Sequence, residues 1–242
     1  MDIKTDNHPM FRHEIKYLIS TAQMKMLQNQ INRMLPLDKH AASEGVYNIR
    51  SLYFDDYDNR CFYENENGTE PREKFRIRIY NHSAERITLE CKRKEHGKIH
   101  KSSCPLTIEQ TQTLMTGQYL RDIATQPEVL KKLTHRMMTT RMKPVVIVEY
   151  DRIPYTYKMG NVRITLDHNM AASTAVECFL DEEIPKRPIM GLGQQLLEVK
   201  YDELLPDYIY NNLQLKNLRQ TTFSKFYLCR KFTMIKGERH EF

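Results

Sequence analysis

The chain lacks any long hydrophobic run. Its longest purely aliphatic stretch, from Val145 to Val148, is far shorter than the roughly 18 apolar residues that a membrane-spanning helix needs. The first residues, 1–7, are polar and lack the apolar core of a signal peptide. The sequence therefore predicts a cytoplasmic protein with no membrane segment of its own.

Residue spacings typical of metal, disulfide and nucleotide-loop chemistry are also missing. The five cysteines lie far apart and contain no Cys-x-x-Cys pair, and the nine histidines show no metal-ligand spacing. The sequence has no Gly-x-x-x-x-Gly-Lys loop, no Gly-x-Gly-x-x-Gly loop and no Gly-x-Ser-x-Gly turn. A zinc knuckle, a disulfide framework and the common nucleotide-binding loops are therefore excluded.

The most informative stretch that is present is 74–80, which alternates strictly between polar and apolar side chains. Successive side chains of a β-strand point to opposite faces, so Lys74, Arg76 and Arg78 share one face. The opposite face carries Phe75, Ile77 and Ile79. A solvated face usually mixes its charges, whereas this face is cationic. Cationic faces that converge make a site for a polyanion, and the net charge of +6 permits such a partner without identifying it.

Alternation and helical spacing together predict an α+β chain of about eight strands with helices between and after them. The predicted strands are 11–19, 48–55, 74–80, 86–94, 98–105, 145–152, 161–167 and 196–201. The predicted helices are 21–35, 107–115, 127–138, 204–213 and 222–232, with a short helix or loop over 56–66. No linker rich in Pro, Gly or Ser divides the chain, so we expect one domain over 1–242 with its core at about 11–232.

Other predicted strands repeat polar residues at every second position. These residues include Glu14, Lys16, Glu90, Lys92, Tyr150, Arg152, Arg163, Glu198 and Lys200. Two architectures fit: a sandwich whose polar faces meet water, and a barrel with polar residues inside and helices over the apolar outside. The mixture of a few carboxylates among many cations favours the barrel, because arginine and lysine bind phosphate oxygens. A carboxylate beside them suits Mg²⁺ or Mn²⁺, which bridge carboxylate to phosphate.

Eight short motifs follow one another in a recognisable order. They are 12–17, 51–55, 75–78, 89–92, 149–152, 163–167, 197–200 and 223–226. This order resembles the catalytic domain of the vacuolar transporter chaperone (VTC) family, the polyphosphate polymerase branch of the triphosphate tunnel metalloenzymes. The resemblance implies an antiparallel β-barrel with flanking helices around a basic tunnel. It also implies transfer of the γ-phosphoryl group of ATP to a growing inorganic polyphosphate chain, with Mn²⁺ or Mg²⁺ as cofactor.

The resemblance assigns roles to individual residues. The implied catalytic residues are Lys225, Arg76, Arg78 and Arg152. Those implied to bind phosphate or substrate are Lys16, Lys92, Lys101, Tyr150, Arg163, Lys200 and Ser224, and those implied to hold the metal are Glu198 and Glu14. Ser224 and Lys225 lie near the start of a predicted helix, whose N-terminus can add backbone donors for a phosphate. Taken alone, the same two residues also fit an ordinary capped helix with a solvated lysine.

One departure from the family pattern bears on mechanism. Hydrolytic members of the wider superfamily open with Glu-x-Glu-x-Lys, and here Arg12 stands at the first position. A lost carboxylate argues against a two-metal hydrolase, since paired metals need several carboxylates. Polymerase is therefore the preferred interpretation, with a tunnel-fold triphosphatase or nucleotide-processing enzyme as one alternative. A non-catalytic polyphosphate or inositol-phosphate binding module is the other.

The expected partners are ATP and inorganic polyphosphate. Nucleic acid is not expected, because the basic residues alternate with aliphatic ones rather than with exposed aromatic rings that stack on bases. The chain carries none of the membrane helices often joined to eukaryotic relatives, so docking to a membrane-protein partner is compatible with the resemblance. The oligomeric state stays open.

Overall fold

The computed structural model describes residues 13–38, 41 and 45–237. The strands are β1 (His13–Ser20), β2 (Tyr47–Asp55), β3 (Arg72–Tyr80), β4 (Ser83–Glu95), β5 (Lys98–Leu106), β6 (Lys143–Tyr157), β7 (Val162–Ser173), β8 (Arg187–Pro188) and β9 (Gln194–Tyr201). The α-helices are α1 (Thr21–Asn32), α2 (Arg60–Glu66), α3 (Ile108–Met115), α4 (Glu128–Thr140), α5 (Asp207–Asn212) and α6 (Lys225–Gly237). Short 3₁₀ turns lie at 159–161, 176–178 and 215–217. Residues 11 and 12 of the predicted first strand lie outside the described residues, and so does the Arg12 departure.

The strands belong to one nine-stranded sheet in the order β1-β9-β7-β6-β2-β3-β4-β5, with β8 paired to β7. The strand pairs with a described register are antiparallel. The predicted class, an antiparallel α+β fold with flanking helices, is confirmed. The order ends at β1 and β5, so the sheet is not closed over the residues that the structure describes.

The chain divides into two compact units. Unit 1 comprises residues 1–46, 153–167 and 193–222, and unit 2 comprises 47–152, 168–192 and 223–242. Strands β6 and β7 each contribute one part to each unit. The single domain expected from the sequence stays a prediction.

Unit 1 has its core between α1, α5 and the apolar faces of its strands. Helix α1 is buried at Met24, Leu27 and Ile31, whose spacing of three and four residues matches the helical period. These side chains join one hydrophobic cluster with Ile164 and Val199. The apolar faces of β7 and β9 therefore point into this core, which leaves their alternate polar residues on the other face.

Unit 2 buries the apolar face of its sheet in the same way. Phe75, Ile77 and Ile79 of β3 are fully buried, as predicted from the alternation. Helices α3 and α4 contact β4. The buried positions of α4 are Val129, Leu130, Leu133, Thr134 and Met137. None of the described helices has the length and apolar character needed to cross a bilayer.

Several predicted bounds shift for local reasons. Strand β6 runs to Tyr157 instead of stopping at residue 152, and it continues through Pro154, whose carbonyl accepts the backbone N–H of Asp38 (2.9 Å). Helix α1 ends at Asn32 instead of 35, because the following residues form a turn. Helix α6 begins at Lys225, three residues later than predicted. Each difference depends on tertiary contacts or local turns that the residue pattern does not specify.

Candidate functional site

Cationic side chains from three neighbouring strands line one face of unit 2. Lys74 of β3 is the register partner of Lys92 of β4, and Lys92 is the partner of Lys101 of β5. Residues directly opposite each other in an antiparallel pair lie on the same face of the sheet. These three residues, called the lysine row below, therefore lie side by side. Two residues along the strands, Arg76 stands opposite Glu90.

Glu90 is a carboxylate on this face that contacts two of its cations. Its Oε2 accepts from Nε of Arg76 (2.7 Å), and its Oε1 lies 2.5 Å from Nζ of Lys101. Burial acts to raise the pKa of Glu90, but the charges of Arg76, Arg78 and Lys101 lower it well below its ordinary value. The carboxylate therefore stays ionised and holds the two cations in fixed positions.

The two arginines of β3 are anchored by strand β2. Arg76 donates from Nη1 to the hydroxyl of Tyr53 (2.9 Å), and its guanidinium lies 5.7 Å from the centre of the Tyr53 ring. Burial opposes the charge of Arg76, but Tyr53 and Glu90 raise its pKa above the ordinary value. Arg78 donates from Nε to Ser51 (3.1 Å) and is only 8% exposed. The arginines of this cationic face are therefore largely shielded from water, whereas Lys101 at the outer strand β5 is 47% exposed.

The start of α6 contributes two further predicted residues. Nζ of Lys225 lies 4.8 Å from the centre of the Tyr150 ring, and the guanidinium of Arg152 lies 5.3 Å from the same ring. The hydroxyl of Ser224 accepts the backbone N–H of Tyr227 (3.3 Å) and caps the helix. Lys74 Nζ also donates to Ser224 Oγ (3.4 Å), so the helix start touches the lysine row.

Helix α2 is fixed by a buried carboxylate of the preceding strand. The side chain of Asn59, at the N-cap position, makes no capping hydrogen bond. Instead, the carboxylate of Asp55 accepts the backbone N–H groups of Cys61 (2.8 Å) and Phe62 (3.1 Å). Burial raises the pKa of Asp55 even though these N–H donors act to lower it. The end of β2 thus determines where α2 begins.

Helix α2 in turn holds α6. The Phe62 and Tyr227 rings stack with centres 5.0 Å apart, and the Tyr227 hydroxyl donates to Glu66 (2.8 Å). Arg230 donates to the side-chain oxygen of Asn59 (2.6 Å). The position of the α6 N-terminus, with its serine and lysine, therefore depends on α2.

Unit 1 carries a second charged cluster, on β1 and β9. Lys16 is the register partner of Glu198, and Glu14 is the partner of Lys200. Lys16 Nζ lies 2.6 Å from Glu14 and 3.8 Å from Glu198. Lys200 Nζ lies 2.6 Å from Glu198 and 3.3 Å from Glu14. Each carboxylate thus contacts both ammonium groups.

The two carboxylates of unit 1 fit a divalent cation as partial ligands. The described residues contain no group of three or more His, Cys, Asp or Glu side chains placed to hold a metal. Mg²⁺ does not need such a cage, because it binds through one or two carboxylates and takes its other ligands from phosphates and water. The two oxygen-donor side chains Glu14 and Glu198 are therefore suited to hold Mg²⁺ or Mn²⁺ together with a phosphate.

Arg163 lies beside this cluster, on β7. It is the register partner of Lys200, and its Nη2 lies 3.2 Å from Oδ2 of Asp38. The guanidinium therefore has an acidic partner that the sequence motifs did not reveal. Asp38 lies in a connecting segment, where no periodicity marks it.

The predicted site residues thus fall into two groups. Unit 1 holds Glu14, Lys16, Arg163, Glu198 and Lys200, and unit 2 holds Arg76, Arg78, Lys92, Lys101, Tyr150, Arg152, Ser224 and Lys225. Sequence reasoning assigned no role to Glu90, Tyr53 or Asp38. The alternation included Glu90, two residues before Lys92, but it gave this carboxylate no partner. The contact of Tyr53 with Arg76 depends on strand register and leaves no trace in the sequence.

Comparison with known proteins identifies a fold and a family. No curated protein matches this chain. A solved structure from Bacillus halodurans, described as "a putative adenylate cyclase", aligns over 89% of this chain and 94% of its own, with 14% identity and a TM-score of 0.52. The PH1819 protein of Pyrococcus horikoshii OT3 aligns over 90% and 97%, with 14% identity and a TM-score of 0.47. The first likeness shows the tunnel fold. The model of the VTC domain matches residues 11–234, so the chain belongs to the VTC domain family.

Proposed function

We propose that this protein is a polyphosphate polymerase that transfers the γ-phosphoryl group of ATP to inorganic polyphosphate in the presence of Mn²⁺ or Mg²⁺. Membership of the VTC domain family supports a polyphosphate-related enzyme. ATP and polyphosphate are the substrates within this proposal. The cytoplasmic location and the membrane-protein partner remain sequence-based expectations.

The observation that supports the proposal most strongly is the charge excess on the unit 2 face. Arg76 and Lys101 contact one carboxylate, Glu90, while Arg78 and the rest of the lysine row lie on the same face. Phosphoryl transfer requires mainly positioning of the reactants and stabilisation of charge on phosphate oxygens. Cations held in place before the substrate arrives meet that requirement.

The transfer itself needs no protein nucleophile. A terminal oxygen of polyphosphate forms a bond to the γ-phosphorus of ATP, and the bond from that phosphorus to the β,γ-bridging oxygen breaks and releases ADP. Arginine can bind two phosphate oxygens through its planar fork. We assign this role to Arg76, Arg78 and Arg152.

Lys225 and Ser224 are assigned to the phosphoryl group that moves. Lys225 lies at the first position of α6, where backbone N–H groups also favour an anion. Its ammonium group lies 4.8 Å from the centre of the Tyr150 ring, a contact that fixes the position of the cation. Lys225 is therefore placed to counter negative charge that develops in the transition state.

Glu198 and Glu14 are assigned to the metal. A bound divalent cation would supply charge neutralisation at phosphate oxygens. Lys16 and Lys200, which contact both carboxylates, keep the pair close together and would share the same phosphate oxygens. Within unit 1, two carboxylates are thus assigned to a metal ion, and two lysines are assigned to phosphate oxygens.

The test is incubation of the purified protein with ATP and Mn²⁺, with the products separated on a polyphosphate gel. Lys225→Ala is the test variant, and Lys231→Ala is the matched control on the same helix, because Lys231 contacts Glu66 and Tyr227. We expect a ladder of long chains from the wild type and from the control, and none from Lys225→Ala.

Two other outcomes would contradict the proposal. Orthophosphate released from ATP or tripolyphosphate, without long chains, would identify a triphosphatase. Tight polyphosphate binding that is insensitive to chelator, without turnover of ATP, would identify a binding module. Full synthesis by Lys225→Ala would remove the role assigned to that lysine.

A further inference from the structure

The cationic face of unit 2 continues beyond the residues assigned above. Along β3 and β4 the register partners are Arg76 with Glu90, Lys74 with Lys92, and Arg72 with Lys94. Successive pairs are two residues apart, so their side chains share one face and follow each other at roughly 7 Å. From Arg78 to Arg72, β3 carries a cation at every second position over roughly 20 Å.

The last pair differs from the inner ones in its partners and exposure. Arg72 donates from Nη1 to the backbone carbonyls of Glu64 (3.4 Å) and Thr69 (3.3 Å), which orient its guanidinium, and its charge also acts on the carboxylate of Glu70, where it helps to lower the pKa. Lys94 contacts the carboxylate of Glu70 (2.6 Å) and is 35% exposed. Glu70 also accepts the backbone N–H of Gly97 (2.8 Å), so this carboxylate is tied to the turn between β4 and β5.

These contacts leave the pair able to bind an anion. A partly exposed ion pair such as Lys94 with Glu70 contributes little free energy, so a phosphate can compete for the lysine. The lysine ammonium has three donors on a flexible stem and can contact Glu70 and a phosphate oxygen together. Arg72 keeps further N–H groups beyond those that bind the two carbonyls.

We propose that Arg72 and Lys94 form an outer subsite for inorganic polyphosphate, an inference that rests on the proposed function and deepens it. A linear polyphosphate presents phosphates at regular intervals and can contact the inner cations and this pair at once. A triphosphate that occupies the inner cations is too short to reach the outer pair as well. The outer subsite thus selects long chains and increases the length to which product grows.

The experiment compares two probes, tripolyphosphate and a long-chain polyphosphate, on the wild type and on Arg72→Ala/Lys94→Ala. We expect the Kd for the long chain to rise about tenfold, as for a loss of about 1.4 kcal/mol, while the Kd for tripolyphosphate stays unchanged. Gel analysis should show shorter products at an undiminished initial rate of ATP consumption. Arg72→Lys/Lys94→Arg, which keeps both charges, should restore long-chain binding.

Arg93→Ala is the matched control. Arg93 lies between Lys92 and Lys94 on β4, but its side chain is on the opposite face, where it contacts Glu73 (3.3 Å) and Glu95 (2.9 Å). This variant should bind both probes as the wild type does. If the double variant unfolds, the single variant Lys94→Ala is measured instead, because the Lys94 side chain is partly exposed and its loss should not prevent folding.

The results separate this inference from the proposed function. Unchanged long-chain affinity, or an equal loss for both probes, would overturn the outer subsite while polymerase activity stands. A wild type that makes no polyphosphate and binds neither probe would overturn the proposed function, and the subsite with it.

Discussion

The two units apply the same strand alternation to clusters of different charge balance. In unit 1, Glu14 and Glu198 each contact Lys16 and Lys200, so the described contacts pair two carboxylates with two ammonium groups. In unit 2, Glu90 contacts Arg76 and Lys101 on a face that also carries further cations. A balanced cluster offers oxygen ligands to a metal, whereas a cluster with excess positive charge offers binding energy to an anion. In both units the alternation of side chains places the charged residues on one face of the sheet. The number of carboxylates among them then decides whether the cluster suits a metal ion or an anion.

The largest expected effect on activity comes from removing one of the two carboxylates in the charged cluster of unit 1. Glu198→Gln should lower Mn²⁺-dependent synthesis by on the order of 100-fold or more, because an amide cannot replace the charge of a carboxylate ligand. Isothermal titration calorimetry should show loss of Mn²⁺ binding, a readout that does not depend on activity. Glu203→Gln, at an exposed position after β9, is the control. Undiminished Mn²⁺ affinity in Glu198→Gln would mean that Glu198 is not a ligand of the metal.

The next largest difference is expected in stability, when the buried carboxylate of unit 2 and a more exposed carboxylate of unit 1 are each replaced by alanine. Glu90→Ala leaves Arg76, whose side chain is only 15% exposed, without its carboxylate, which should reduce the free energy of unfolding by about 3–5 kcal/mol. Glu14→Ala should cost about 1 kcal/mol or less, since the Glu14 side chain is 21% exposed and Glu198 still contacts both lysines. Urea unfolding of both variants measures the difference. Equal losses would mean that burial does not distinguish the clusters.

The pH dependence of stability gives a smaller effect with a definite sign. The folded protein lowers the pKa of Glu90 below its ordinary value of 4.5. The stabilisation is therefore present above the pKa of the unfolded chain and is lost as pH falls through the folded value. Compared with Glu90→Gln, the wild type should lose stability more steeply as pH falls below 4.5. Parallel curves for the two proteins in acid would show that Glu90 is not responsible.

The smallest effect is expected at the exposed end of the lysine row. The Lys101 side chain is 47% exposed, so Lys101→Ala should raise the Kd for tripolyphosphate by roughly threefold, and less at high salt. Lys98→Ala, on the same strand but on its other face, is the control. A tenfold or greater loss in Lys101→Ala would mean that this position is screened from solvent when ligand binds.

Much of the fold followed from residue pattern, and the contacts within the site did not. Alternation over 74–80 correctly placed Arg76 and Ile77 on opposite faces, since the period of a strand is fixed. Alternation gives a face but not a partner, because the partner depends on the register between two strands. The pairing of Arg76 with Glu90 therefore became visible only in the structure. The same holds for Lys225 and Tyr150, which are far apart in sequence and meet through packing of α6.

The contacts of α6 with α2 also have a consequence for the order in which parts of the chain fold. Strands β2 to β4 and helix α2 are neighbours in the chain, but α6 reaches them through contacts across 150 residues or more. During synthesis the chain emerges from its N-terminus, and contacts of such long range form late. The arginines and the lysine row are therefore synthesised before the Lys225 helix exists. Under the proposed function, the residues assigned to phosphate binding are synthesised before the lysine assigned to phosphoryl transfer, so we expect no polymer extension by a chain that ends before α6.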